Sequence, residues 1–84
     1  MDKKTEIYIK ELKIGSIVKL KSNAKDIHMH LDRSKKGYGQ LGWTNAMNKL
    51  AGNEVYLHYI SSYKLKVNGW NTYHECLDTN FKPK

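Results

Sequence analysis

The dipeptide Asn68-Gly69 limits what this chain can fold into more than any other feature. A two-residue type I′ turn needs positive φ at both central positions, and Asn followed by Gly meets that need best. The flanking residues agree with such a turn. Tyr63 to Val67 alternates, with Tyr63, Leu65 and Val67 on one face and Lys64 and Lys66 on the other, and Trp70 to Glu75 supplies the return strand. The pattern predicts an antiparallel hairpin with a basic outer face.

Other strands extend this hairpin into a meander. Glu54 to Ile60 reads as a strand with Val55, Leu57 and Tyr59 on one face, joined to the hairpin through Ser61-Ser62. Ser16 to Lys21 reads as another, with Val18 and Leu20 inward in line with Ile14, and Lys19 and Lys21 outward. Residues 1–11 are expected to form an N-terminal arm or edge strand, alternating loosely from Glu6 to Leu12. Residues 22–42 form a long polar stretch, and a compact domain seldom leaves so many residues as loop unless the loop is functional. Within it, Asp26 to Asp32 alternates strictly, predicting a short extra strand or flap with Ile27, Met29 and Leu31 on its packed face. Arg33 to Gly39 reads as an exposed basic turn. Thr44 can cap a short helix over Asn45 to Ala51, which Gly52 would end in the left-handed conformation. Cys76 to Phe81 is expected to form a closing turn that tucks Leu77 and Phe81 into the mouth of a small barrel, since closure removes exposed sheet edges.

With 84 residues there is room for a single domain and a modest core. One cysteine, Cys76, allows no internal disulfide, and a lone thiol fits a reducing compartment, most simply a cytoplasm. No secretory leader and no apolar run of membrane-spanning length is visible, so no membrane partner is expected. The net charge of +7 favours a polyanionic partner. Arg33 is the only arginine, however, and lysine is a flexible point charge where arginine gives bidentate recognition. Lys, Asn, Ile and Tyr all have A/T-rich codons, so part of the charge can reflect base composition.

Several constellations bear on chemistry. On a strand, Asp26, His28, His30 and Asp32 would share a face, making His28 and His30 weak metal candidates, with His58, His74 or Cys76 completing a set. Their bland reading as solvated polar residues is the stronger one. His74 and Cys76 contain the elements of a thiolate–imidazole pair but lack an orienting third group, so a buried structural cysteine is favoured. Gly37-x-Gly39-x-x-Gly42 has dinucleotide-motif spacing without its strand–helix context, and no cofactor is expected. The basic and aromatic surface is the best functional candidate: Lys19, Lys21, Arg33, Lys35, Lys36, Tyr38, Lys64, Lys66, Trp70 and Tyr73, with Trp43 beside them. Lysines on a groove with aromatics to stack bases describe a sequence-tolerant single-strand binder. The same residues also make a protein-recognition patch. No catalytic residue is assigned.

The run Gly15-x-x-Val18-x-Leu20-x-Ser22, then Tyr38-Gly39, Trp43, Met47, Gly52 and Trp70 to Tyr73, resembles a small SH3-like barrel domain of phage and prophage proteins of Gram-positive bacteria. The likeness covers roughly residues 12–81. It departs from the pattern in a longer Ile27 to Leu31 segment and in Gln40-Leu41, where a second glycine is common. The resemblance implies a mainly β fold: a small SH3-like, partly open antiparallel barrel of about five strands with one short helix. It also implies a mobile-element accessory protein in the host cytoplasm. Such a protein would bind a bacterial host or defence protein, as an inhibitor of a defence or nucleic-acid-processing protein, or bind nucleic acid directly.

Overall fold

The computed structural model describes residues 2–34 and 40–84. Its centre is a four-stranded antiparallel sheet in the order β1 (Ile17–Lys19), β2 (Glu54–Ile60), β3 (Lys64–Val67) and β4 (Trp70–Tyr73). The hairpin falls where the sequence placed it. Asn68 and Gly69 have φ of 50° and 85°, and Val67 pairs with Trp70 across the turn. Asn68 also accepts a hydrogen bond from the Tyr56 amide at 2.9 Å, tying the turn to β2.

Two expected extended segments are helices. Residues 3–11, read as an arm or edge strand, form α1 (Lys3–Glu11), capped by the Asp2 carboxylate, which accepts from the Thr5 amide at 2.8 Å. Thr5 is buried, and Tyr8, Ile9 and Leu12 pack against the core. That i, i+3, i+4, i+7 spacing is a helical stripe, and it overrides the local alternation. Glu6 in the first turn and Lys10 in the last complement the helix dipole.

The second correction concerns residues 22–42. Most of that stretch is α2 (Ala24–Ser34), not a loop or flap. Its inward face carries Ala24, Ile27, His28 and Leu31, again at helical spacing, while Met29 is exposed. Ala, Lys, Met, Leu and Arg are good helix formers, and Ile27 is the only β-branched residue in the segment. The strict Ile27-Met29-Leu31 alternation was an accident of composition.

The short helix after Thr44 is present but wound as a 3₁₀ helix, Asn45–Leu50. Its threefold repeat superposes Met47 and Leu50, both buried, while Ala46 is exposed. Gly52 follows with φ of 75°. A second 3₁₀ turn, His74–Cys76, leads out of β4.

Among the described residues the sheet does not close into a barrel, so the fold is mixed, with a β-rich sheet and two α-helices in place of five barrel strands. The chain after β4 bends through its 3₁₀ turn and returns along the free edge of β1. Leu77 bridges Leu20, Asp78 N donates to Lys19 O at 2.8 Å, and Ile17 and Lys84 exchange backbone hydrogen bonds of 2.9 and 3.0 Å. Leu77 is buried as expected. Phe81 is not tucked into a barrel mouth; it lies half-exposed against α1, where Tyr8 Oη donates to its carbonyl at 2.7 Å. The core comprises Val18, Leu20, Val55, Leu57, Leu65 and Val67 of the sheet region, joined by Met47, Leu50, Tyr73, Cys76, Leu77 and Ala24. No helix among the described residues is long and apolar enough to cross a membrane.

Candidate nucleic-acid interface on the sheet

Strand pairing decides which side chains share the outer face. Directly opposed residues of an antiparallel pair point the same way. Val18 opposes Val55, and both are buried, so their neighbours face outward: Ile17 beside Tyr56 and Lys19 beside Glu54. On β3, Leu65 and Val67 are buried and Lys66 faces out, opposite Tyr59 on one side and Asn71 on the other.

Tyr59 is where simple alternation fails. The register shifts between Leu57 and Tyr59, so His58 is an extra residue in β2, a β-bulge. Leu57 remains inward opposite Val67, and Tyr59 is turned out opposite Lys66 instead of sharing the face of Leu57. The result is a face on which Tyr56 and Tyr59 are 42% and 48% exposed. The rings of Tyr56 and His58 lie 4.6 Å apart at 59°. Lys66 is exposed, Asn71 and Lys19 are half-buried, and Glu54 is engaged by Lys84 at 3.0 Å. With neighbouring strands about 4.8 Å apart, Tyr59, Lys66 and Asn71 form a row of ring, cation and amide.

The sequence-predicted surface residues are only partly brought together. Lys19 and Lys66 share this outer face, and Lys64 follows Lys66 in alternation, half-buried with its ammonium 5.8 Å from the Tyr63 ring. Lys21 is exposed just beyond β1. Trp70 opposes inward-facing Val67 and packs on the core, so it is not a surface platform. Tyr73 is wholly buried. Arg33 stands exposed at the end of α2, lining a shallow pocket of about 190 Å³ with Met29, Asp32, Gln40 and Trp43. Lys35, Lys36 and Tyr38 lie outside the described residues, as do Gly37 and Gly39 of the glycine motif. Sequence reasoning missed Tyr56, His58 and Tyr59 as surface groups. Alternation alone could have placed Tyr56 outward, but nothing in the sequence marks the bulge.

The weak metal pair dissolves once α2 is a helix. Residues two apart lie about 200° apart around a helix, so His28 points into the core and His30 into solvent. His28 instead centres a buried polar cluster. Its Nδ1 is 2.8 Å from Thr72 Oγ1, its Nε2 is 3.4 Å from Asp32 Oδ2, and Trp43 and Tyr73 meet its ring edge-on at 5.2 and 5.1 Å. Asp32 also accepts from Tyr73 Oη at 2.5 Å and from the Leu41 and Gly42 amides at 3.0 Å. Burial pushes the Asp32 carboxyl up, but these donors and the His28 charge outweigh it and hold the group below its ordinary value. Burial and the Asp32 charge push the Tyr73 hydroxyl well above its ordinary value.

Thr72, His28 and Asp32 are ordered like a hydroxyl–imidazole–carboxylate triad. Thr72 and His28, however, have no exposed surface, so no substrate reaches the hydroxyl. The cluster acts as a clamp holding α2 and the 40–43 segment to β4. The thiol reading fails on similar grounds. Cys76 is buried, its Sγ accepts from Thr72 Oγ1 at 3.3 Å, and burial pushes the thiol up, away from the reactive thiolate. His74 Nε2 lies 3.2 Å from the Lys64 carbonyl, on β3.

No family model, curated protein or solved structure matches the chain.

Proposed function

We propose that this protein is a non-enzymatic binding module whose outer sheet face takes single-stranded nucleic acid. The observation that carries this reading is the bulge at His58, which brings a second tyrosine to the face that holds Lys66 and Tyr56. Bases would stack on Tyr59 and on the Tyr56–His58 pair, while Lys66 and Lys19 meet the phosphates. Stacking on an aromatic ring contributes about 1–3 kcal/mol per base and tolerates any sequence. The lysines suit this role better than base reading, which favours arginine.

The finer fold reading, a relation to small SH3-like barrels of phage proteins, is part of the same proposal. It draws support from the return of residues 76–84 along β1, the connection that a closed barrel would complete. In that setting the partner would be a bacterial host nucleic acid or a complex containing one.

Fluorescence anisotropy with labelled twelve-residue DNA and RNA oligonucleotides, between low and physiological salt, tests the proposal. The expected result is saturable binding that weakens with salt by roughly 0.7 in log–log slope per phosphate contacted, and that Tyr59→Ala weakens by about 1–3 kcal/mol. Absence of binding at low salt would refute it, and capture of a nuclease-resistant protein complex from lysate would favour a protein target.

A further inference from the structure

A second site lies away from the sheet face. A cleft of about 520 Å³ opens between α1 and the C-terminal segment, lined by Tyr8 and Leu12 on one wall and by Phe81 and Pro83 on the other. That volume lies in the range of pockets that enclose small organic molecules. We infer that this cleft binds a small amphiphilic anion, an acyl or aryl carboxylate, with its apolar body between these walls and its charge at the lysine-bearing rim.

Three observations carry the inference. First, the walls are held in place before any ligand arrives. Tyr8 Oη donates to the Phe81 carbonyl at 2.7 Å, Lys4 Nζ donates to Asn80 Oδ1 at 2.6 Å, and the Lys84 backbone is paired to Ile17. Preorganised walls spare the ligand the entropic cost of ordering them.

Second, the polar lining selects charge. Lys13 and Lys82 line the cleft, Lys4 is bound to the lining residue Asn80, and Glu11 is the one carboxylate among the lining residues. An anion is therefore favoured over a neutral or cationic head group.

Third, Ser16 and Thr79 also line the cleft, and among the described residues neither hydroxyl has a hydrogen-bond partner. Both can donate to a carboxylate.

Octanoate is a suitable probe, with 1-octanol and octyltrimethylammonium as neutral and cationic counterparts of the same body. Amide chemical shifts of the isotope-labelled protein would be followed during titration with each. The expected result is saturable shifts around Leu12, Ser16 and Thr79 with octanoate, weaker binding of octanol, and none of the cation. The double variant Lys13→Glu/Lys82→Glu changes two exposed side chains, so the fold is retained. It should weaken octanoate at least about tenfold while leaving octanol unchanged, as expected for loss of a charge-assisted contact. Equal binding of octanoate and the cation would overturn the inference. So would shifts confined to the sheet face, or a double variant that binds octanoate like the parent.

Discussion

A histidine with no exposed surface meets a conflict when the solution turns acidic, because gaining a proton means burying a charge. His28 is such a residue. Burial holds its pKa below the ordinary 6.5, and the nearby Asp32 carboxylate only partly opposes this. The unfolded chain therefore takes up the proton first as pH falls. Stability should be complete above about pH 6.5 and decline below it, until the folded state is protonated too. Asp32 adds a separate, lower window. Its folded pKa is depressed below the ordinary 3.8, so its contribution persists above that value and disappears as pH drops through the folded pKa. Urea midpoints measured from pH 7.5 to 3 should show both declines, and His28→Gln should remove the upper one only. An upper decline unchanged in that variant would locate the effect elsewhere. The same residue explains a misreading of the sequence. His28 belongs to the apolar face of α2 and the ring stack with Trp43 and Tyr73, yet a pattern that counts histidine as polar hides the helical stripe Ala24-Ile27-His28-Leu31.

At the scale of elements, legibility depended on how local the determining interactions are. The Asn68-Gly69 turn is set by its own two residues, and β2 and β3 by unbroken burial alternation at Val55, Leu57, Leu65 and Val67. The helices were hidden because their stripes need eight residues, while short windows of the same sequence also fit a period of two. The candidate site was half legible. Lys19 and Lys66 were placed outward correctly, but Tyr59 was grouped on the face of Val55 and Leu57, because a bulge is a property of two strands in register and not of either alone. Deleting His58 tests this account. With the extra residue gone, Leu57 still opposes Val67 and Tyr59 still opposes Lys66, so the domain should fold with the Tyr59–Lys66 proximity intact. Nuclear Overhauser contacts between these side chains report the outcome. Their loss in a folded protein would mean that β2 and β3 change register when the extra residue is removed, and would overturn this account.

Across the whole molecule, the charge of +7 is spread far beyond the sheet. Lys3, Lys4 and Lys10 lie on α1 and Lys49 on the 3₁₀ helix, all exposed. Long-range attraction to a polyanion would draw on all of them, whereas counterion release on binding counts only lysines that meet phosphates. Lys66→Ala should therefore lower the salt slope of oligonucleotide binding by roughly 0.7, while Lys10→Ala leaves it unchanged. Equal effects from both would indicate diffuse attraction without a defined face.

Cys76 gives the molecule a built-in clock. Its sulfur is enclosed by Thr72 and the Ala24 carbonyl, at the seam where α2, β4 and the second 3₁₀ turn meet. A maleimide or disulfide reagent can reach it only when that seam parts, so the labelling rate multiplies the intrinsic thiol reactivity by the fraction of molecules open at any instant. Labelling of the folded protein at pH 8 should run on the order of a hundredfold slower than in urea. Parallel changes in that rate and in global stability across variants would mean that the seam opens only when the whole domain unfolds. A rate that rises alone would single out the α2 clamp as a separately opening unit.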